Sequence, residues 1–149
     1  MDIEVDNYVN YKESEISGRY ITNDSIASLN SKYNSRICGY SVNNLPINHF
    51  KIGSGPIKIL IWSQMHGNES TSTKALFDSI SFFNLHEPIM LKELTLLVIP
   101  ILNPDGALKY TRANYNNIDL NRDAVDLSQP ESVVLKDMYN SFKPDFCFN

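Results

Sequence analysis

His66 and Glu69 stand three residues apart in the stretch Ser63-Gln64-Met65-His66-Gly67-Asn68-Glu69. An imidazole nitrogen and a carboxylate oxygen are both zinc donors, binding at about 2.0–2.2 Å. A loop histidine followed by a glutamate at the start of a helix can bring both donors to one ion. Glu69 taken alone is equally suited to favour a helix N-terminus and nothing more. Downstream, Arg112, Asn121 and Arg122 supply two guanidinium groups and an amide. A guanidinium fork matches a carboxylate through two parallel hydrogen bonds. Beside a metal it also stabilises a developing oxyanion. Asp119 is either a turn cap or a carboxylate that orients a metal-bound imidazole through its other N–H. His49 and His86 have no such company and read as structural or exposed.

These residues need elements to hold them. Ile57-Lys58-Ile59-Leu60-Ile61-Trp62 is nearly all apolar and β-branched, the pattern of a strand buried on both faces. Leu94 to Pro100 is a second such strand. Between them, from Glu69 on, Ala75, Leu76, Ile80 and Phe83 form one apolar stripe, which predicts a helix ending between Asn84 and Pro88. Strand, helix, strand with short connections is a βαβ unit with a parallel pair. Polar clusters follow both strands, where open α/β sheets place their ligands. Asn103-Pro104-Asp105-Gly106 predicts a turn, and residues 107–118 read as irregular.

Upstream, Thr22 to Tyr33 predicts a helix. Arg36–Val42 and Pro46–Ile52 predict two strands joined at Asn43-Asn44, and Gly53-Ser54-Gly55-Pro56 predicts a turn. Downstream, Glu131 to Phe142 predicts a helix opened by Pro130, and Asp145–Asn149 the start of a third buried strand. The expectation is an α/β protein with a mostly parallel or mixed central sheet flanked by helices. Residues 1–52 form its N-terminal helix and hairpin segment, and residues 53–149 carry the site.

The chain has 149 residues, 42% of them hydrophobic, enough to bury a core within one domain or a large part of one. Disordered and disulfide-stapled classes are excluded. A net charge of −4 without a basic block argues against nucleic acid as a partner. No apolar run reaches the roughly 18 residues of a membrane span. Cys38 and Cys147 lie far apart and read as reduced thiols. The acidic start Met1–Asp6 has no signal-peptide pattern, so a cytoplasmic location is expected.

Taken together, His66-Gly67-Asn68-Glu69, Asn103-Pro104-Asp105-Gly106, Thr111-Arg112 and Ile118-Asp119-Leu120-Asn121-Arg122 resemble, in order and spacing, the zinc carboxypeptidase family. The resemblance spans residues 57–149. It implies Zn2+ as cofactor, ligated by His66 and Glu69. It implies that Arg112 polarises the scissile carbonyl, that Asn121 and Arg122 bind the terminal carboxylate of a substrate, and that Asp119 holds His66. The Asn103–Gly106 turn supports the site. The implied substrate is a peptide with a free carboxylate.

The family pattern also needs a third zinc ligand, a histidine on the strand that begins near Asp145. It needs a later tyrosine and a late glutamate that acts as general base. The chain has none of them, so the expectation is the N-terminal half of a catalytic domain, inactive as it stands. Such a half also leaves a sheet edge uncovered, through which self-association is expected. Two other readings stay open. One is a zinc amidohydrolase of N-acyl amino acids, similar to aspartoacylase. The other is a non-catalytic module that binds peptide C-termini.

Overall fold

The structure, a computed structural model, describes residues 5–149. The first four residues of the acidic Met1–Asp6 start lie outside the described residues. A 3-10 turn at Asp24–Ile26 leads into helix α1 (Ala27–Lys32). Strands β1 (Arg36–Tyr40) and β2 (Pro46–Gly53) form a hairpin, and Asn44 supplies the left-handed residue of its turn at φ 62°. Then come β3 (Ile57–Trp62), α2 (Ser70–His86) and β4 (Leu94–Ile99). Helices α3 (Pro104–Lys109) and α4 (Pro130–Phe142) and strand β5 (Phe146–Phe148) complete the chain.

The sheet runs in the order β1-β2-β4-β3-β5. β3 pairs in parallel with β4 and with β5, whereas β2 is antiparallel to both β1 and β4. The fold is therefore α/β with a mixed sheet. The βαβ unit read from the sequence sits at its centre. The hairpin segment is continuous with that unit, because β2 hydrogen-bonds along β4 from Phe50 opposite Val98 to Gly53 opposite Thr95.

Alternation along β4 divides the core in two. Leu96 and Val98 pack with Phe50, Leu29, Phe77 and Ile80 on one face, under α1 and α2. Leu97 and Ile99 pack with Leu60, Leu102, Leu120 and Phe142 on the other, under α4. Side chains with a period of two, on a strand covered by helices on both sides, give this division. Phe77 is fully buried, its ring 6.1 Å from Phe50 and 6.2 Å from Tyr33.

Three expectations are corrected. Asp145–Asn149 does not begin a buried strand: Phe146 and Phe148 are 58% and 56% exposed, because β5 is the sheet edge and nothing among the described residues covers it. β3 is also less buried than its apolar run suggests; only Leu60 is fully enclosed, since β3 has this short edge strand as its outer neighbour. Residues 104–109 are helical where a turn and irregular chain were expected. Asn103 accepts a hydrogen bond from the Gly106 N–H, and Pro104 takes the first helical position, where its missing N–H costs nothing.

Asp123 fixes the entry to α4. Its carboxylate accepts from the Ser128 N–H (2.9 Å), the Ser128 hydroxyl (2.6 Å) and the Gln129 N–H (2.9 Å). Burial opposes the charge, but these hydrogen bonds outweigh it and hold the carboxyl at about 2, against an ordinary 3.8. The stability it contributes is complete above the unfolded value and is lost as pH falls through the folded one. Asp123→Asn should therefore destabilise the chain at neutral pH and flatten the loss of stability between pH 4 and 2, read by urea melts at each pH. Phe77→Ala should cost about 3–5 kcal/mol in the same measurement at pH 7.

Candidate functional site

Hydrogen bonding between the β3 and β4 segments continues past the strand ends. The Ser63 N–H donates to the Ile99 carbonyl (3.1 Å), the Leu102 N–H to Ser63 (3.0 Å) and the Asn103 N–H to Gln64 (3.0 Å). Gln64 takes a left-handed backbone at φ 44°, a conformation an L side chain adopts at a cost. It is 1% exposed and fully engaged. Its Nε2 donates to the Ile21 and Gly67 carbonyls, and its Oε1 accepts from the Thr73 hydroxyl. At Gly67 the loop touches α3: a Cβ there would lie 1.9 Å from the Gly106 carbonyl carbon, so only glycine permits this approach. The Asn103 amide also donates to the Met65 carbonyl (3.2 Å). Sequence alone singled out neither Gln64 nor the Asn103 bridge. A polar residue at a strand end and an Asn-Pro pair were the available signals.

On this frame four side chains close a ring. His66 Nδ1 lies 3.1 Å from Glu69 Oε2, and His66 Nε2 lies 2.9 Å from Asp119 Oδ1. Arg112 donates through Nε to Asp119 Oδ2 (3.0 Å) and through Nη1 to Glu69 Oε1 (3.3 Å). Burial opposes the Asp119 charge, but hydrogen bonds from His66, the Asn121 N–H and Arg112 prevail and hold the carboxyl below its ordinary value. His66 is buried, whereas Glu69 and Arg112 are about half exposed. The ring thus opens to solvent on the Glu69–Arg112 side.

The donor chemistry suits a cation. An imidazole that gives its Nε2 proton to Asp119 turns the Nδ1 lone pair toward the Glu69 carboxylate. Two acceptors at 3.1 Å need a positive charge between them, from a second proton or a metal. Donor atoms each about 2.1 Å from one zinc ion stand roughly 3–3.4 Å apart. His66 and Glu69 therefore fit two positions of a zinc site. Among the described residues no set of three His, Cys, Asp or Glu side chains is placed to hold a metal. His49 lines a cavity with Arg36 and Lys51, and His86 stacks on Phe82. Both are far from the ring in topology.

Asn121 and Arg122 follow Asp119 directly. The Asn121 N–H donates to Asp119 Oδ1 (2.9 Å), and Arg122 Nη1 donates to the Asn121 carbonyl (3.3 Å). Neither side chain contacts His66 or Glu69 through a hydrogen bond. Asn121 borders an apolar cavity of about 340 Å³ together with Leu60, Trp62, Leu120 and Cys147.

The zinc carboxypeptidase family model matches residues 22–141, so the match begins well upstream of residue 57. Probable carboxypeptidase 2 of Arthroderma benhamiae is 32% identical over 92 residues, which are 58% of this chain and 18% of that protein. Carboxypeptidase 2 of Trichophyton tonsurans is 30% identical over 92 residues, 58% of this chain and 17% of that protein. The chain spans less than a fifth of the length of these curated relatives. A metallo-carboxypeptidase from Burkholderia cenocepacia superposes with a TM-score of 0.76 at 18% identity, over 86% of this chain and 40% of that one. The likeness in fold and the family match over residues 22–141 agree, and the chain belongs to the zinc carboxypeptidase family.

Proposed function

We propose that this chain carries the metal- and carboxylate-binding part of a zinc-dependent hydrolase acting on a peptide or amide bond next to a free carboxylate. The observation that carries the reading is His66, whose two ring nitrogens face two different carboxylates, Glu69 and Asp119. In this reading His66 and Glu69 hold zinc. Bound there, zinc supplies Lewis-acid polarisation of a carbonyl and makes a water more acidic. Asp119 fixes the ring and tautomer of His66, so that Nδ1 presents its lone pair outward. Arg112, with guanidinium donors beyond those given to Asp119 and Glu69, holds the carbonyl oxygen as it gains charge. Asn121 and Arg122 take the terminal carboxylate.

The donor count favours one alternative for the chain by itself. Catalytic zinc ordinarily has three protein ligands, and two converge among the described residues. The isolated chain then binds peptide C-termini, takes zinc weakly and gives no turnover. In a protein that joins this chain to a third ligand and a general base, release of a C-terminal residue from peptides, set against deacylation of N-acyl amino acids, separates the peptidase from the amidohydrolase.

Zinc titration against a chromophoric chelator tests the metal assignment on this chain. His66→Ala and Glu69→Ala should each abolish the measurable affinity. Asp119→Ala should lower it by about 10–100-fold. Affinity unchanged by His66→Ala would refute the metal assignment, and affinity unchanged by Asp119→Ala would refute its orienting role.

A further inference from the structure

Another cavity, of about 450 Å³, opens beside Glu69. Its walls include Arg19 from the N-terminal segment, Asn68 and Glu69 from the loop after β3, Lys74 from α2 and Tyr110 at the end of α3. Among the described residues, neither Arg19 nor Lys74 forms an ion pair with a carboxylate. Arg19 donates through Nε to the Tyr110 hydroxyl, and its guanidinium lies 5.3 Å from the centre of that ring. Lys74 donates to the Gly18 carbonyl at 2.8 Å. Neutral partners thus hold both cations in place, and no carboxylate among the described residues pairs with either. Among the described residues Glu69 is the one carboxylate in the cavity wall, and its oxygens already face His66 and Arg112.

Glu69 is shared by this cavity and the ring, and the order of groups gives a direction. Asn121 and Arg122 lie at one end, joined through Asp119 to His66, and Glu69 leads on to Arg19 and Lys74. A substrate with its terminal carboxylate at the first end has its scissile bond at His66 and Glu69. The chain upstream of that bond then runs toward the cavity. The cavity shares Glu69 with the ring, so an extended peptide, at about 3.3 Å per residue, meets it within a few positions upstream.

We propose that this cavity receives the substrate segment upstream of the scissile bond, and that Arg19 and Lys74 select an acidic side chain there. The direction of the chain rests on the carboxylate-binding role of Asn121 and Arg122. The charge of the whole molecule works the other way, since a net −4 disfavours acidic ligands in general. A preference for acid is therefore a local effect of these two cations.

Calorimetric titration of the 149-residue chain with four N-acetylated peptides tests this. They are Glu-Glu-Ala-Phe and Gln-Gln-Ala-Phe, each as the free acid and as the C-terminal amide. The Glu free acid should bind roughly 2–10-fold tighter than the Gln free acid. That preference should vanish in the Arg19→Gln/Lys74→Gln double variant and fade in about 0.5 M salt. Equal affinity of the two free acids overturns the proposal, and so does a preference that survives in the double variant. The first comparison uses the unaltered chain and needs no variant to fold. Amidation reports on the other end separately and should weaken both peptides. If it weakens neither while the Glu preference persists and vanishes in the double variant, the carboxylate reading fails and the acid-selecting pair stands. No binding of any peptide overturns both.

Discussion

Trp62 stands opposite Ile99 on the last rung of the parallel ladder between β3 and β4. Parallel pairing brings the C-terminal ends of both strands to the same level, and every group of the ring descends from that placement. The loop after β3 carries His66 and Glu69, and the segment after β4 carries Asn103 and then Arg112 and Asp119. An antiparallel pair would send the two loops to opposite ends of the sheet. The ladder does more than align them. It continues as backbone hydrogen bonds through Ser63, Leu102 and Asn103, so the loops are joined before any side chain acts. Gly67 against Gly106 then brings backbone to backbone at a distance that no side chain allows.

Charge governs how this ring is arranged. Two carboxylates, one guanidinium and one imidazole share a small space, with His66 buried beneath them. Arg112 offsets part of the negative charge from the solvent side. The lone pair of His66 that faces Glu69 remains without a proton in the tautomer that serves Asp119. His66 Nδ1 and Glu69 Oε2, 3.1 Å apart, need a positive charge between them, from a second proton or a metal.

Much of the frame can be read from the residues, for identifiable reasons. β4, α2 and α4 have apolar patterns set by burial on defined faces, and period and burial coincide there. The spacing of His66 and Glu69 on a strand-to-helix loop is a local relation that survives folding. Other features depend on neighbours distant in sequence. The exposure of Phe146 and Phe148 reflects what lies beside β5, which their apolar character does not encode. The helix at Pro104–Lys109 forms because Asn103 caps it, and the same Asn-Pro-Asp-Gly string suits a turn equally well. Arg19 is ordinary in its own context. It is placed in the cavity wall beside Glu69 by Tyr110, a partner 91 residues away.

The N-terminal segment therefore serves as more than a cover for α2. Side chains at the start of the site reach back to its carbonyls: Gln64 to Ile21, Ser70 to Arg19 and Lys74 to Gly18. Backbone carbonyls in a segment without its own ladder need donors, and the loop after β3 and α2 provide them. The exchange works in both directions. Gln64, held in an unfavourable left-handed backbone, is kept there in part by the carbonyl of Ile21. Ile16, Ile21, Ile26 and Leu29 bury the segment in the same core as Leu76 and Phe77, which fixes those carbonyls in space. The loop that carries His66 thus rests in part on apolar contacts made by the N-terminal segment, linked to it through the buried Gln64 amide.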